Sequence, residues 1–160
     1  MHPVYSKGSQ PNLKVPKTSI LKIISYWPPF LVSGIRVQKY LAEEKRLEVA
    51  MSLRFWNWNH ERSHFGGSLY SMTDPFYALL IRENLKENVR VWVKSAQIRF
   101  RRPGRGVVHS VFELKDEQLE KIQKDLASNH KSEPEFHIEV IDSHGKIVAE
   151  VSQIVHVSFK

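Results

Sequence analysis

The sequence contains no cysteine, which removes disulfide bridges, thiolate metal ligands and a cysteine nucleophile together. It is also short of acid: 17 Asp and Glu against 24 Lys and Arg leave a formal net charge of +7. That balance favours an anionic partner, whether nucleic acid, a phosphorylated cofactor or an acidic protein, without choosing among them. No apolar run is long enough to cross a bilayer. Lys7, Lys14 and Lys17 precede an apolar stretch, but Lys22 and Pro28-Pro29 interrupt it and no small-residue cleavage site follows. No targeting signal and no membrane partner are expected, and a reducing, cytoplasmic setting is. Internal repeats and low-complexity runs are lacking too. What remains, at 160 residues, is one domain's worth of chain with enough length to bury a core.

Residues 1–17, with Gly8, Ser9 and Pro11, read as an N-terminal arm, and 18–160 as a single domain. Ile20, Leu21, Ile23, Ile24 and Trp27 have helical spacing, with Thr18 or Ser19 as cap and Pro28-Pro29 as the stop. The period then changes to two. Ile35 and Val37, followed by Leu47, Val49, Met51, Leu53 and Phe55, predict a hairpin turning at Ala42-Glu43-Glu44-Lys45. A helix is predicted to run to about Asn84. After it, Val89, Val91 and Val93 change parity to Ala96, Ile98 and Phe100, which predicts a bulge near Lys94-Ser95. Pro103-Gly104-Arg105-Gly106 reads as a turn before a strand from Val107 to Leu114. Asp116 is placed to cap a helix with Leu119, Ile122 and Leu126 on its apolar face, ending near Asn129. Two last strands flank the turn Asp142-Ser143-His144-Gly145. Six mainly antiparallel strands and one strongly apolar helix make an α+β fold with the sheet wrapped around that helix. Its open edges predict a homodimer.

The segment from Asn57 to Pro75 is denser in Asn, His, Gly and aromatics than its surroundings. Gly66-Gly67 leads into the helical run, so backbone N–H groups are free at a helix start, where the macrodipole adds partial positive charge. That suits a carbonyl oxygen or an anion. His60-Glu61-Arg62-Ser63-His64 also spells the HExxH zinc pattern, with Glu83 downstream as a third ligand. Its context argues against a helix, since Asn57-Trp58-Asn59 precedes it and Gly66-Gly67 follows; His60 and His64 are better read as loop residues near a site.

The chain resembles the hot-dog fold thioesterases, nearest an uncharacterised thioesterase-like branch similar to the phenylacetyl-CoA-type enzymes. Those relatives carry Asn, five residues, His-Gly-Gly, six residues, Asp. Asn59, Phe65-Gly66-Gly67 and Asp74 fall at that spacing here, with Phe65 in place of the His. The resemblance implies an antiparallel six-stranded sheet around a long central helix. It also implies an acyl-CoA or other acyl thioester substrate, with CoA present only as part of that substrate and no metal. Gly67 would polarise the thioester carbonyl, Asp74 would act as base or nucleophile, and Asn59 would position the carbonyl or water. Phe65, Gly66, His64 and Tyr70 would contact substrate. Gly67 and Asp74 are seven residues apart, about 10 Å of rise on a continuous helix. The site would therefore need Asp74 from a second subunit, and dimers could pair further into tetramers. The alternative is a non-catalytic module that binds an acyl ligand.

Plainer roles compete for the same residues. Asp74-Pro75 fits an N-cap followed by proline at the first helical position, Gly66 and Gly67 could serve close packing, and Asn59 could form a turn. If the helix begins at Gly66, Pro75 should kink it. Arg99, Arg101, Arg102 and Arg105 read first as a solvated strand end and next as contacts to CoA phosphates. A nucleic-acid surface comes last and is not expected.

Overall fold

The computed structural model describes residues 20–160; the expected arm at 1–17 and the cap at Thr18 or Ser19 lie outside them. Helix α1 (Ile20–Ile23) tightens into a single 3-10 turn, Ile24–Tyr26. Pro28-Pro29 does not simply end this helix. It opens α2 (Pro28–Ser33), because proline's fixed φ and missing donor suit a first turn, and Trp27 before it is extended (φ −62°, ψ 130°). Gly34 at φ 75° closes α2.

Strands β1 (Ile35–Leu41) and β2 (Arg46–Ser52) form the expected hairpin. The alternation through Leu53 and Phe55 does not continue the strand, which ends at Ser52. The Leu53 N–H turns instead to the Gly106 carbonyl at 2.8 Å, and Phe55 stands in solvent edge-on to Trp56.

The predicted long central helix is two helices, α3 (Gly66–Ser71) and α4 (Phe76–Asn84). Pro75 has no N–H for the Ser71 carbonyl and its ring would clash there, so the chain unwinds over 72–75. The loosened turn is held by side chains: Ser71 Oγ donates to the Gly67 carbonyl at 2.8 Å and Thr73 Oγ1 to that of Tyr70 at 2.7 Å. Asp74 is not the N-cap of α4; Pro75 holds that position with no side-chain cap.

Strands β3 (Val89–Phe100) and β4 (Val107–Glu113) follow, and the register of β3 against the last strand, β7 (Ile147–Phe159), shifts between Val93 and Ser95, where the bulge was expected. Helix α5 (Asp116–Asn129) starts one residue earlier than a cap at Asp116 requires. Lys115 is its N-cap and its N–H is taken by Gln118 Oε1, while Asp116 pairs with Lys45. Strands β6 (Glu135–Asp142) and β7 (Ile147–Phe159) complete the chain. A seventh strand, the two-residue β5 (Lys131–Ser132), pairs with the end of β7 and is too short for any period to show.

The sheet is antiparallel in the order β1-β2-β4-β6-β7-β3, with β1 and β3 at its edges. It curls around α4. Phe76 packs on Phe30 and Phe112, and Tyr77 stacks on Phe136 with ring centroids 3.9 Å apart. Phe76, Leu80 and Ile81 are fully buried, each burial contributing about 1.5–3 kcal/mol. This is a hot-dog architecture, and it delivers the start of α3 and the end of β3 to one rim of the sheet.

Candidate active site

Asn59 organises the loop before α3. Its Oδ1 accepts from the Glu61 and Ser63 N–H groups and from Ser63 Oγ at 3.0–3.1 Å, while Nδ2 donates to the His64 carbonyl at 3.4 Å. The amide expected to position a carbonyl or a water is thus engaged in holding a turn, with Arg62 in the left-handed region at φ 54°. The loop is not helical, so His60 and His64 do not share a face. His60 is at the surface beside Glu61, whereas His64 is buried. Among the described residues no group of three His, Cys, Asp or Glu is placed to hold a metal.

His64 anchors the loop to the turn after β3. Its N–H donates to the Gly104 carbonyl at 2.9 Å, and Nε2 lies 3.1 Å from the Gly106 carbonyl. A carbonyl can only accept, so Nε2 carries the proton and Nδ1 keeps its lone pair. Burial holds the His64 pKa below the ordinary histidine value, and the bond to Gly106 offsets part of that shift.

Phe65 is the extended N-cap of α3, and its carbonyl receives the N–H groups of Ser68 and Leu69. Gly66 and Gly67 sit in the first turn, where their N–H groups have no partner within the helix. Each glycine is covered by an aromatic ring. A Cβ on Gly67 would lie 2.5 Å from Cε1 of Phe65, and one on Gly66 would lie 3.0 Å from Cζ of Phe100. Both rings are themselves more than half exposed, Phe65 at 58% and Phe100 at 53%. The glycines therefore serve close approach, and the rings that approach them face outward.

A pocket of about 440 Å³ opens between the 59–64 loop, the start of α3 and the end of β3. It brings together Asn59, His64, Gly66, Arg101 and Arg102 from the sequence expectation. It leaves out Gly67, which lies under Phe65, and Phe65 itself, Tyr70, Asp74 and Arg99. Arg101 is paired with Glu150 at the pocket edge. Tyr70 and Asp74 are joined elsewhere, the Tyr70 phenol donating to Asp74 Oδ1 at 3.0 Å. Burial, then the hydrogen bond and the Asp74 charge, push the Tyr70 pKa up to about 12.

Sequence reasoning missed five parts of the wall: Glu61, Ser63, Leu69, Phe100 and the Pro103-Gly104 turn. Gly104 carried the signal, since a Cβ there would lie 2.9 Å from Val148 and 3.3 Å from His64. A glycine at a crowded turn marks a place where two segments meet.

Residues 18–157 match the family described as a domain of unknown function, DUF4442. The chain belongs to the DUF4442 family. No curated protein matches the sequence. Solved structures share the fold at low identity. A Pseudomonas aeruginosa protein of unknown function, named a probable thioesterase, superposes with a TM-score of 0.78 at 20% identity, over 90% of this chain and 96% of that one. The PaaI protein of the E. coli phenylacetic acid degradation operon gives 0.61 at 18%, covering 88% and 92%. A Haemophilus influenzae thioesterase gives 0.64 at 14%, covering 86% and 87%. This DUF4442 chain thus has a thioesterase-like hot-dog fold. Among its described residues no helix is long and apolar enough to cross a membrane.

Proposed function

We propose that the protein hydrolyses an acyl thioester, an acyl-CoA, as a homodimer. The carbonyl would sit at the Gly67 N–H in the first turn of α3, with the partner subunit's Asp74 activating water or attacking directly. The observation that carries this reading is the pocket that reaches Gly66 of that turn, with Leu69 and Phe100 as apolar wall and, beside the Glu150-paired Arg101, the guanidinium of Arg102, which has no ion pair among the described residues. Such a wall suits a thioester carrying an acyl group at one end and phosphates at the other.

A rise of about 10 Å from Gly67 to Asp74 requires an unbroken helix, and the helix is broken at 72–75. Support for a second subunit comes instead from the lining, which lacks Asp74, and from β3, a twelve-residue edge strand with Trp92 and Phe100 exposed. Atoms balance simply in the water route: the carboxylate takes a proton as hydroxide adds to the carbonyl, and the thiolate leaves with that proton as the C–S bond breaks.

A binding module without turnover is favoured by one feature, the Phe65 ring closing over Gly67. Release of free thiol from a panel of acyl-CoA esters separates the two. Turnover that disappears in Asp74→Ala while the protein stays folded supports the hydrolase. Turnover that survives Asp74→Ala but not Glu61→Gln transfers the base to the one carboxylate lining the pocket. Tight acyl-CoA binding with no thiol release supports the binding module.

A further inference from the structure

Among the described residues a group of exposed apolar side chains lies outside the pocket lining. Tyr26, at 76% exposure, Trp27, Leu31 and Val32 project from the 3-10 turn and α2. Phe55, at 73%, and Trp56 project from the loop after β2. The two segments form one face, because the Trp56 indole donates to the Val32 carbonyl at 3.2 Å and Asn57 Nδ2 donates to that of Ser33 at 2.9 Å. Beside Tyr26 and Trp27, Ile20, Ile23 and Ile24 complete an open hollow of about 530 Å³ with an apolar lining. Ile24 belongs to the buried core, whereas the Ile23, Tyr26 and Trp27 side chains are more than half exposed.

The rim is basic. Arg36 shares a depression with Tyr26 and Leu31, and the Arg54 guanidinium lies 6.0 Å from the Trp56 ring centroid. Neither arginine has an ion pair among the described residues. The charge bias extends through the sequence: residues 1–42 contain Lys7, Lys14, Lys17, Lys22, Arg36 and Lys39 and no Asp or Glu. Six positive charges in that stretch account for most of the net +7 of the chain.

We infer that this face docks on the surface of an anionic phospholipid membrane. Trp and Tyr partition to the interface between headgroups and acyl chains, where an amphipathic ring satisfies both sides. Arginines at the edge of such a patch meet lipid phosphates, and each basic residue near an anionic leaflet adds to binding. Residues 20–42, which carry Tyr26, Trp27, Leu31, Val32 and Arg36, contain no Asp or Glu whose repulsion would oppose such a contact. The expectation of no membrane partner rested on the lack of a spanning segment, which a surface contact does not require.

The test is co-sedimentation of the full chain with vesicles of phosphatidylcholine alone and of phosphatidylcholine mixed with phosphatidylglycerol. The expected result is binding to the mixed vesicles, weakened by salt, with the tryptophan emission shifting to shorter wavelength. Arg36→Gln with Arg54→Gln should lower partitioning onto them roughly tenfold or more. Tyr26→Ser with Phe55→Ser, both at highly exposed positions, should abolish it with the unfolding midpoint unchanged. Failure to bind the mixed vesicles overturns the proposal, as does equal binding to both vesicle types that the substitutions leave intact. Self-association without vesicles, lost in Tyr26→Ser/Phe55→Ser, would instead give the face to a second copy of the chain and also overturn it.

Discussion

The Tyr70 hydroxyl donates to Asp74 Oδ1 at 3.0 Å across the break between α3 and α4. The bond links the last full turn of α3 to the unwound segment and fixes where the carboxylate points. On the proposed hydrolase reading, Tyr70→Phe should therefore lower kcat more than it changes KM, while costing stability only about 1 kcal/mol. Steady-state kinetics beside urea unfolding checks the split. The pKa gives a second reading. With Asp74→Ala the hydrogen bond and the carboxylate charge are both gone, so the phenolate absorbance attributable to Tyr70 should appear at lower pH than the present value of about 12.

Phe65 covers Gly67 at the position where the resemblance in the sequence leads to an expectation of histidine. Phe65→Ala removes the ring that lies 2.5 Å from the Cβ position of Gly67, and on the proposed hydrolase reading kcat/KM for acyl-CoA should rise several-fold if carbonyl access limits turnover. An unchanged kcat/KM would mean that the ring moves aside freely on binding.

Gly34 sits at φ 75° with a Cβ position 2.9 Å from the Ser52 carbonyl oxygen, at the junction of α2, β2 and the loop after it. Gly34→Ala should cost about 2 kcal/mol, combining the left-handed penalty with a contact against backbone. Gly106, at φ 69° with nothing within 4 Å of its Cβ position, supplies the control. Gly106→Ala should cost only the conformational part, and the difference in urea midpoints measures the clash.

His64 is held neutral by burial, so its proton uptake lags that of the unfolded chain. As pH falls below the ordinary histidine value of 6.5, the unfolded state binds a proton that the native state refuses, and stability drops. The slope from this group is at most about 1.4 kcal/mol per pH unit. His64→Gln, which keeps a donor for the Gly106 carbonyl, should flatten the stability curve between pH 6.5 and the depressed native pKa. Urea midpoints measured across that range test it.

Features with a short-range cause were legible in the sequence. The β1–β2 hairpin, the bulge at Lys94-Ser95 and the turn at Asp142–Gly145 each follow from period two, a parity change or turn chemistry within a few residues. The same rules gave the apolar face of α5 and the location of Gly66-Gly67 at a helix start. Pro75 announced a kink, and the residues from Asn57 to Asp74 marked the region of the site.

Only the tertiary structure decided what those residues touch. Whether Pro75 would bend a helix or divide it depended on Ser71 and Thr73 taking over backbone carbonyls. Asn59 could have faced a ligand or its own loop, and that choice required the return of the chain at His64 to Gly104 and Gly106. The pocket wall joins Gly66 to Phe100 and Gly104, residues more than thirty positions away in the chain. Periodicity reports which face of an element is buried. It holds no information about which distant segment covers that face, because that is set by sheet order and packing over the whole chain.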